Sequence, residues 1–176
     1  MKQLSKINFE SKPTVTFNLD PIHINFCRYI FNTPHNQGHI LLRRSEDIGK
    51  LIFSHIQTGD FRVTRPFINS PVTFILPNPN NDNWIRYRYL FIPKWVENKI
   101  TDGIEYEFKN WVREKFRIAY EHNWEQQTIV NAILRGLNVR NNAINFDTIK
   151  KIDYRNRRKT EEKRFRKLYL AELESD

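Results

Sequence analysis

Alternation is the first pattern along the chain. Val15, Phe17 and Leu19 fall on one face of an extended segment, and beyond Asp20-Pro21 the residues Ile22, Ile24 and Phe26 keep the same two-residue period. This predicts two strands, or one bent strand, over 14–26. Residues 27–31 prolong the apolar character, NTPHNQG at 32–38 is a turn-rich loop, and 39–43 reads as another short strand. A short amphipathic helix is predicted over 45–57. Ser45 is its N-cap, Glu46 and Asp47 occupy the first turn where the helix dipole favours acids, and Ile48, Leu51, Ile52 and Ile56 recur at helical spacing before Gly59. Residues 71–76 (PVTFIL) and 84–92 (WIRYRYLFI) flank a Pro/Asn-rich loop and read as a hairpin with a long tip. In its second strand Ile85, Tyr87, Tyr89 and Phe91 are predicted to face inward, leaving Trp84, Arg86 and Arg88 outside.

After Pro93 the period becomes helical. Asp102 with Glu105 reads as a capping box, and Ile104, Phe108, Trp111, Val112, Phe116 and Ala119 form a stripe ending near His122. Asn123 with Gln126 opens a second helix, over 125–137, burying Ile129, Ile133, Leu134 and Leu137. Asn145 or Asp147 caps a third, reaching about Leu173. Its apolar residues are Ile149 and Ile152 at the start and Phe165, Leu168, Tyr169 and Leu173 at the end. Residues 155–164 contain no apolar side chain, so this stretch has no face to bury and is expected to project. Asp153/Arg157 and Glu162/Arg166 are i,i+4 pairs that support the helix.

The expected fold class is therefore α+β. An antiparallel sheet of about four to five strands with one packed helix precedes a three-helix C-terminal part ending in a long basic helix. The expected organisation is a loose leader at 1–12, a β-rich part at 13–92 and a helical part at 93–176. Both parts are short enough to need one shared core.

Composition narrows the function classes. With 39% apolar and 14% aromatic residues in 176, the chain affords a packed core. No apolar run approaches the roughly 18–20 residues that span a bilayer, and the first residues contain no secretory apolar stretch. No membrane partner and a cytoplasmic location (host cytoplasm or virion) are expected. Five glycines, none spaced as GxGxxG or GxxxxGKS, give no glycine cradle for a nucleotide. Nineteen asparagines with abundant Ile, Lys and Phe are a composition associated with AT-rich genomes such as those of phages and mobile elements.

Candidate chemistry is sparse. His23, Cys27, His35 and His39 follow an H-x3-C-x7-H-x3-H spacing whose ligand types suit zinc. On a strand, however, His23 and Cys27 lie roughly 13 Å apart, so no metal is expected. Cys27 is the only cysteine, which excludes an internal disulfide. No sequence signature frames it as a nucleophile, and Glu46/Asp47 and Glu105/Glu107 sit where helix starts favour acids. The expectation is no enzyme, no catalytic residue, no cofactor and no small-molecule substrate.

Charge carries the functional reading. The net charge is +9, and residues 150–167 alone hold ten basic against three acidic side chains. So dense a basic helix suits a polyanion. Lys150, Lys151, Arg155, Asn156, Arg157, Arg158, Lys159, Lys163, Arg164 and Arg166 are the expected nucleic-acid contacts, with Trp84, Arg86 and Arg88 as a second, stacking face. Helices 125–137 and 147–167 also suggest a helix-turn-helix with Asn156 on adenine, but their connection of about seven residues exceeds the three or four of that motif. Two functions follow. One is a non-enzymatic nucleic-acid-binding protein of a phage or mobile element. The other is a structural subunit of a virion or connector-type assembly whose C-terminal helix docks on neighbouring chains, self or other. On this reading, replacing Arg155, Arg157, Arg158 and Lys159 strands no buried partner and leaves stability intact.

Overall fold

A computed structural model of the chain describes residues 13–60, 70–77 and 89–173, with side chains as far as Arg166. The fold is α+β. In chain order its elements are β1 (Thr14–Asn18), α1 (Pro21–Ile30), β2 (His39–Leu41), α2 (Asp47–Ser54), β3 (Gln57–Gly59), β4 (Pro71–Ile75), β5 (Tyr89–Phe91), α3 (Lys94–Glu121), α4 (Gln126–Gly136) and α5 (Ala143–Leu173). Two compact units divide within α3, after Glu107, whereas the shift in sequence pattern falls at 92/93.

In the first unit β4 is the central strand, antiparallel to β1 and parallel to β2. The alternation of β1 is real: Val15 and Phe17 are buried, and Leu19 follows them inward. Phe74 of β4 stacks on Phe17 at 5.2 Å and meets the edge of Phe31 at 6.4 Å, which brings the end of α1 onto the sheet. On the other face Thr16 and Thr73 share a hydrogen bond of 2.9 Å.

Three local expectations are corrected. Residues 21–30 form a helix, not a continuation of the strand, so two helices, at 21–30 and 47–54, accompany the strands before Pro93 where one was expected. Asp20 holds an extended N-cap conformation, Pro21 occupies the first helical turn, and His23, Phe26 and Cys27 are buried at i, i+3 and i+4. The spacing of Ile22, Ile24 and Phe26 also satisfies an alternating template, but Asp-Pro is a helix-start signal. The expected hairpin between 71–76 and 84–92 is not formed. Both edges of β4 are taken by β1 and β2, while β5 pairs antiparallel with β3, a strand the sequence pattern did not predict. In β5 Tyr89 is exposed and Leu90 and Phe91 are half-buried, and the buried residue is Ile92, just after the strand. Tyr87, like Trp84, Arg86 and Arg88, lies outside the described residues.

Helix α2 starts with Glu46 at its N-cap rather than Ser45 and stops at Ser54, short of the expected 57. It buries Ile48, Gly49 and Ile52. A methyl at Gly49 would overlap the carbonyl oxygen of Arg43, whereas one at Gly103 would meet only the end of the Leu51 side chain. Backbone cannot step aside as a flexible side chain can. Gly49→Ala is therefore expected to lower stability by about 2 kcal/mol, within the usual range for overpacking. Gly103→Ala should be milder. Urea denaturation of the two variants checks the order, and a larger loss at Gly103 contradicts it.

Helix α3 begins at Lys94, so Asp102 and Glu105 are mid-helix residues and form no capping box. Val96 and Ile100 extend the buried stripe of Ile104 backward, and the carbonyl of Pro93 accepts the N–H groups of Val96 and Glu97 at the helix start. In the second unit Phe108, Val112 and Phe116 of α3 are buried, together with Ile129, Val130, Ile133 and Leu134 of α4, Leu137 after it, and Ile149 and Ile152 of α5. Helix α4 closely matches its expected range. Asn138 follows it with φ 52°, a left-handed conformation that asparagine tolerates. Helix α5 begins earlier than expected, at Ala143, because Asn142 provides the cap: its Oδ1 accepts the N–H of Asn145 at 2.8 Å.

Candidate nucleic-acid interface

Helix α5 has 31 residues, about 46 Å at the usual rise per residue. Its first turns are anchored by Ile149, Ile152 and Asp153, all buried. Between and beyond them the surface of the helix is cationic. Lys150, Lys151, Arg155, Arg157, Arg158, Lys159, Lys163, Arg164 and Arg166 are all exposed, and Asn156 is half-buried. Phe165 stands 78% exposed near the far end. Leu168, Tyr169 and Leu173 belong to the part of the helix whose side chains are outside the description.

Asp153 is the junction between the anchored and the projecting parts. It is 2% exposed, and its Oδ2 accepts hydrogen bonds from Tyr120 Oη at 2.8 Å and Gln126 Nε2 at 2.6 Å. Arg157 Nε reaches the same oxygen at 3.1 Å, and the Arg157 guanidinium lies 6.0 Å from the centre of the Tyr120 ring. One carboxylate thus ties α3, α4 and α5 together. The expected Asp153/Arg157 pair exists, but it is not a surface pair, so Arg157 does have a buried partner and is not dispensable for stability. Glu162 pairs with Arg158 at 3.1 Å rather than with Arg166.

Burial, reinforced by the hydrogen bond to Asp153, pushes the Tyr120 phenol up to about 12. The fold therefore holds this proton more tightly than the unfolded chain, where tyrosine titrates near 10. The resulting stabilisation is complete below pH about 10 and disappears as pH rises through about 12. Absorbance at 295 nm across an alkaline titration should show one tyrosine ionising late. Asp153→Ala should move that late ionisation earlier without fully normalising it, because burial is the larger cause.

Among the described residues, two grooves lie between α3 and α5 in this unit. The larger, about 530 Å³, mixes charges: Arg113, Arg117 and Arg157 share it with Glu114, Asp153 and Glu161, and Asn156 lies here. It is largely neutralised internally, since Arg117 bonds both Glu114 and Glu121, and Arg157 is held by Asp153. The smaller, about 340 Å³, is lined by Lys109 and Arg113 of α3 and by Arg155, Arg158, Lys159 and Ile152 of α5. Among the described lining residues it has no carboxylate, and Arg158 pairs with Glu162 outside that lining. Arg113 is oriented by Nη1 donating to Asn110 Oδ1 at 3.0 Å, and its Nε is a buried donor with no acceptor. Leaving such a donor unsatisfied costs about 1–3 kcal/mol.

The sequence pattern placed the α5 cations correctly on an exposed helix but missed Lys109 and Arg113. Their i,i+4 spacing on α3 is the only local signal, and it does not say which helix they face.

The other candidate groups separate. His23 and Cys27 are an i,i+4 pair inside α1, not strand neighbours, and both are buried. Burial pushes the Cys27 thiol up to about 12, so it is a packing residue rather than an activated nucleophile. Among the described residues no three His, Cys, Asp or Glu side chains gather in a metal-binding group, and no helix is long and apolar enough to cross a membrane. Comparison with family models, curated proteins and solved structures finds no match for this chain.

Proposed function

We propose that this is a non-enzymatic nucleic-acid-binding protein whose helix α5 contacts the phosphate backbone. A phage or mobile-element origin, with action in the host cytoplasm or virion, accords with its composition. The observation that carries the reading is the contrast between the two grooves. In the larger groove Arg117 and Arg157 pair with acids, whereas along 150–166 nine exposed basic side chains outnumber three acidic ones, and cations dominate the lining of the smaller groove. Mutual repulsion of this kind lowers stability unless an anion relieves it.

A backbone contact fits better than base reading. In a helix-turn-helix the first residues of the second helix meet the bases. Here the basic cluster starts only at Lys150, well inside α5, and the connection 137–142 is longer than that motif uses. Fluorescence anisotropy of the full chain with a labelled DNA duplex, measured across a salt series, tests the function. About six neutralised phosphates should give a slope of log K against log salt near −5. A flat salt response, or no binding at low salt, rejects it.

The second reading is a structural subunit whose α5 docks on a neighbouring chain. Phe165, 78% exposed on an otherwise charged stretch, favours it. Size-exclusion chromatography with light scattering decides: a stable oligomer that Phe165→Ser dissociates would support docking.

A further inference from the structure

We propose that the smaller groove is a phosphate-binding cleft in which α3 supplies the second wall, with Arg113 as its fixed donor and a phosphodiester group of the nucleic acid as its ligand. This rests on the nucleic-acid reading above and goes beyond a helix lying on a backbone.

The geometry combines three features. Cations converge from two helices, Lys109 and Arg113 from α3 and Arg155, Arg158 and Lys159 from α5, so an anion placed there is approached from both sides. A single basic helix offers only one side. The volume, about 340 Å³, corresponds to on the order of ten water molecules, room for a phosphate group and part of its hydration. Finally, Arg113 is held in place by Asn110, while its Nε–H is shielded from water and lacks an acceptor. With its Nε–H enclosed and out of an anion's reach, Arg113 would meet a ligand through its Nη groups. A guanidinium with one edge anchored presents its remaining N–H groups in a fixed orientation, as phosphate recognition favours. The mixed groove lacks this character, because its carboxylates already occupy its arginines. Arg113 lines both grooves.

The test follows the Arg113 Nε–Hε resonance by NMR in the full-length wild-type chain. It is titrated separately with inorganic phosphate, with chloride at equal ionic strength, and with a short DNA duplex. The expected result is a saturable shift with phosphate and with the duplex but not with chloride. In parallel, Lys109→Gln and Arg113→Gln together should weaken duplex binding about tenfold and make the salt slope shallower by about 1.8, the value for two phosphates. Lys109→Gln alone guards against a folding defect and should produce roughly half of that change in slope. If the duplex binds with a steep salt dependence while Arg113 does not respond and the variants bind as wild type does, the cleft is rejected and the α5 reading stands. If no duplex binds at low salt, both fall. A phosphate-induced shift in that case identifies a free-phosphate site, and an oligomer in the same sample points to protein docking.

Discussion

Replacing Arg155, Arg158, Lys159 and Lys163 together with Gln is expected to reduce affinity for duplex DNA by one to two orders of magnitude and to make the salt slope shallower by about 3.6. All four side chains are exposed. Arg158 pairs with Glu162, with side chains 67% and 62% exposed, and pairs of that kind contribute little to stability. Glutamine is nearly as good a helix former as lysine or arginine, so α5 should persist. The melting temperature should rise slightly or stay put, since mutual repulsion is removed. Arg157 is deliberately spared, because its Nε holds the buried carboxylate of Asp153 and its loss would mix a stability defect into a binding measurement. Anisotropy titrations at several salt concentrations, alongside thermal melts, give both readouts. Affinity unchanged by the four substitutions would remove α5 as the contact surface.

Asp153→Ala is expected to lower stability by about 3 kcal/mol, near the sum of two or three hydrogen bonds to a buried carboxylate. Tyr120, Gln126 and Arg157 all converge on its Oδ2. The loss falls short of what breaking a fully buried pair can cost, because the Arg157 side chain is 52% exposed and can hydrate once released. Asp153→Asn keeps an acceptor oxygen and should cost about 1 kcal/mol. Chemical denaturation ranks the three proteins. Equal damage from Asn and Ala would mean that the charge, rather than the acceptor geometry, holds the junction. The same substitution also loosens the point where α5 leaves its anchoring contacts, so duplex affinity should fall modestly even though no phosphate contact is removed.

The second unit was the more legible in sequence. Its helices carry stripes such as Phe108, Val112 and Phe116, or Ile129, Ile133 and Leu134, whose period admits one reading. The absence of any apolar residue over 155–164 likewise shows in the sequence, and the structure leaves that stretch of α5 exposed except for half-buried Asn156. The first unit was less legible. Over 20–30 the apolar positions fit both a two-residue and a helical period, and the burial of His23 and Cys27 beside Phe26 settles the matter for the helix. Pairing partners of short strands were harder still. β3 is only Gln57–Gly59, too short to show alternation, yet it is what β5 pairs with.

By itself the sequence determined the α+β class, the inward face of β1, the end of α3 and the ranges of α4 and α5 to within a turn or so, and the positive surplus of residues 150–167. Each of these follows from local period or composition, which a chain carries without reference to its distant parts. Only the tertiary structure decided that β4 lies between β1 and β2, that Asp153 is a buried acceptor for three side chains, and that Lys109 and Arg113 face the α5 cations across one groove. Strand order is fixed by which buried faces fit together. The groove is fixed by how α3 and α5 pass each other, over 40 residues apart along the chain. Neither relation leaves a repeat or spacing in the sequence, because side chains that meet only through folding share no local pattern.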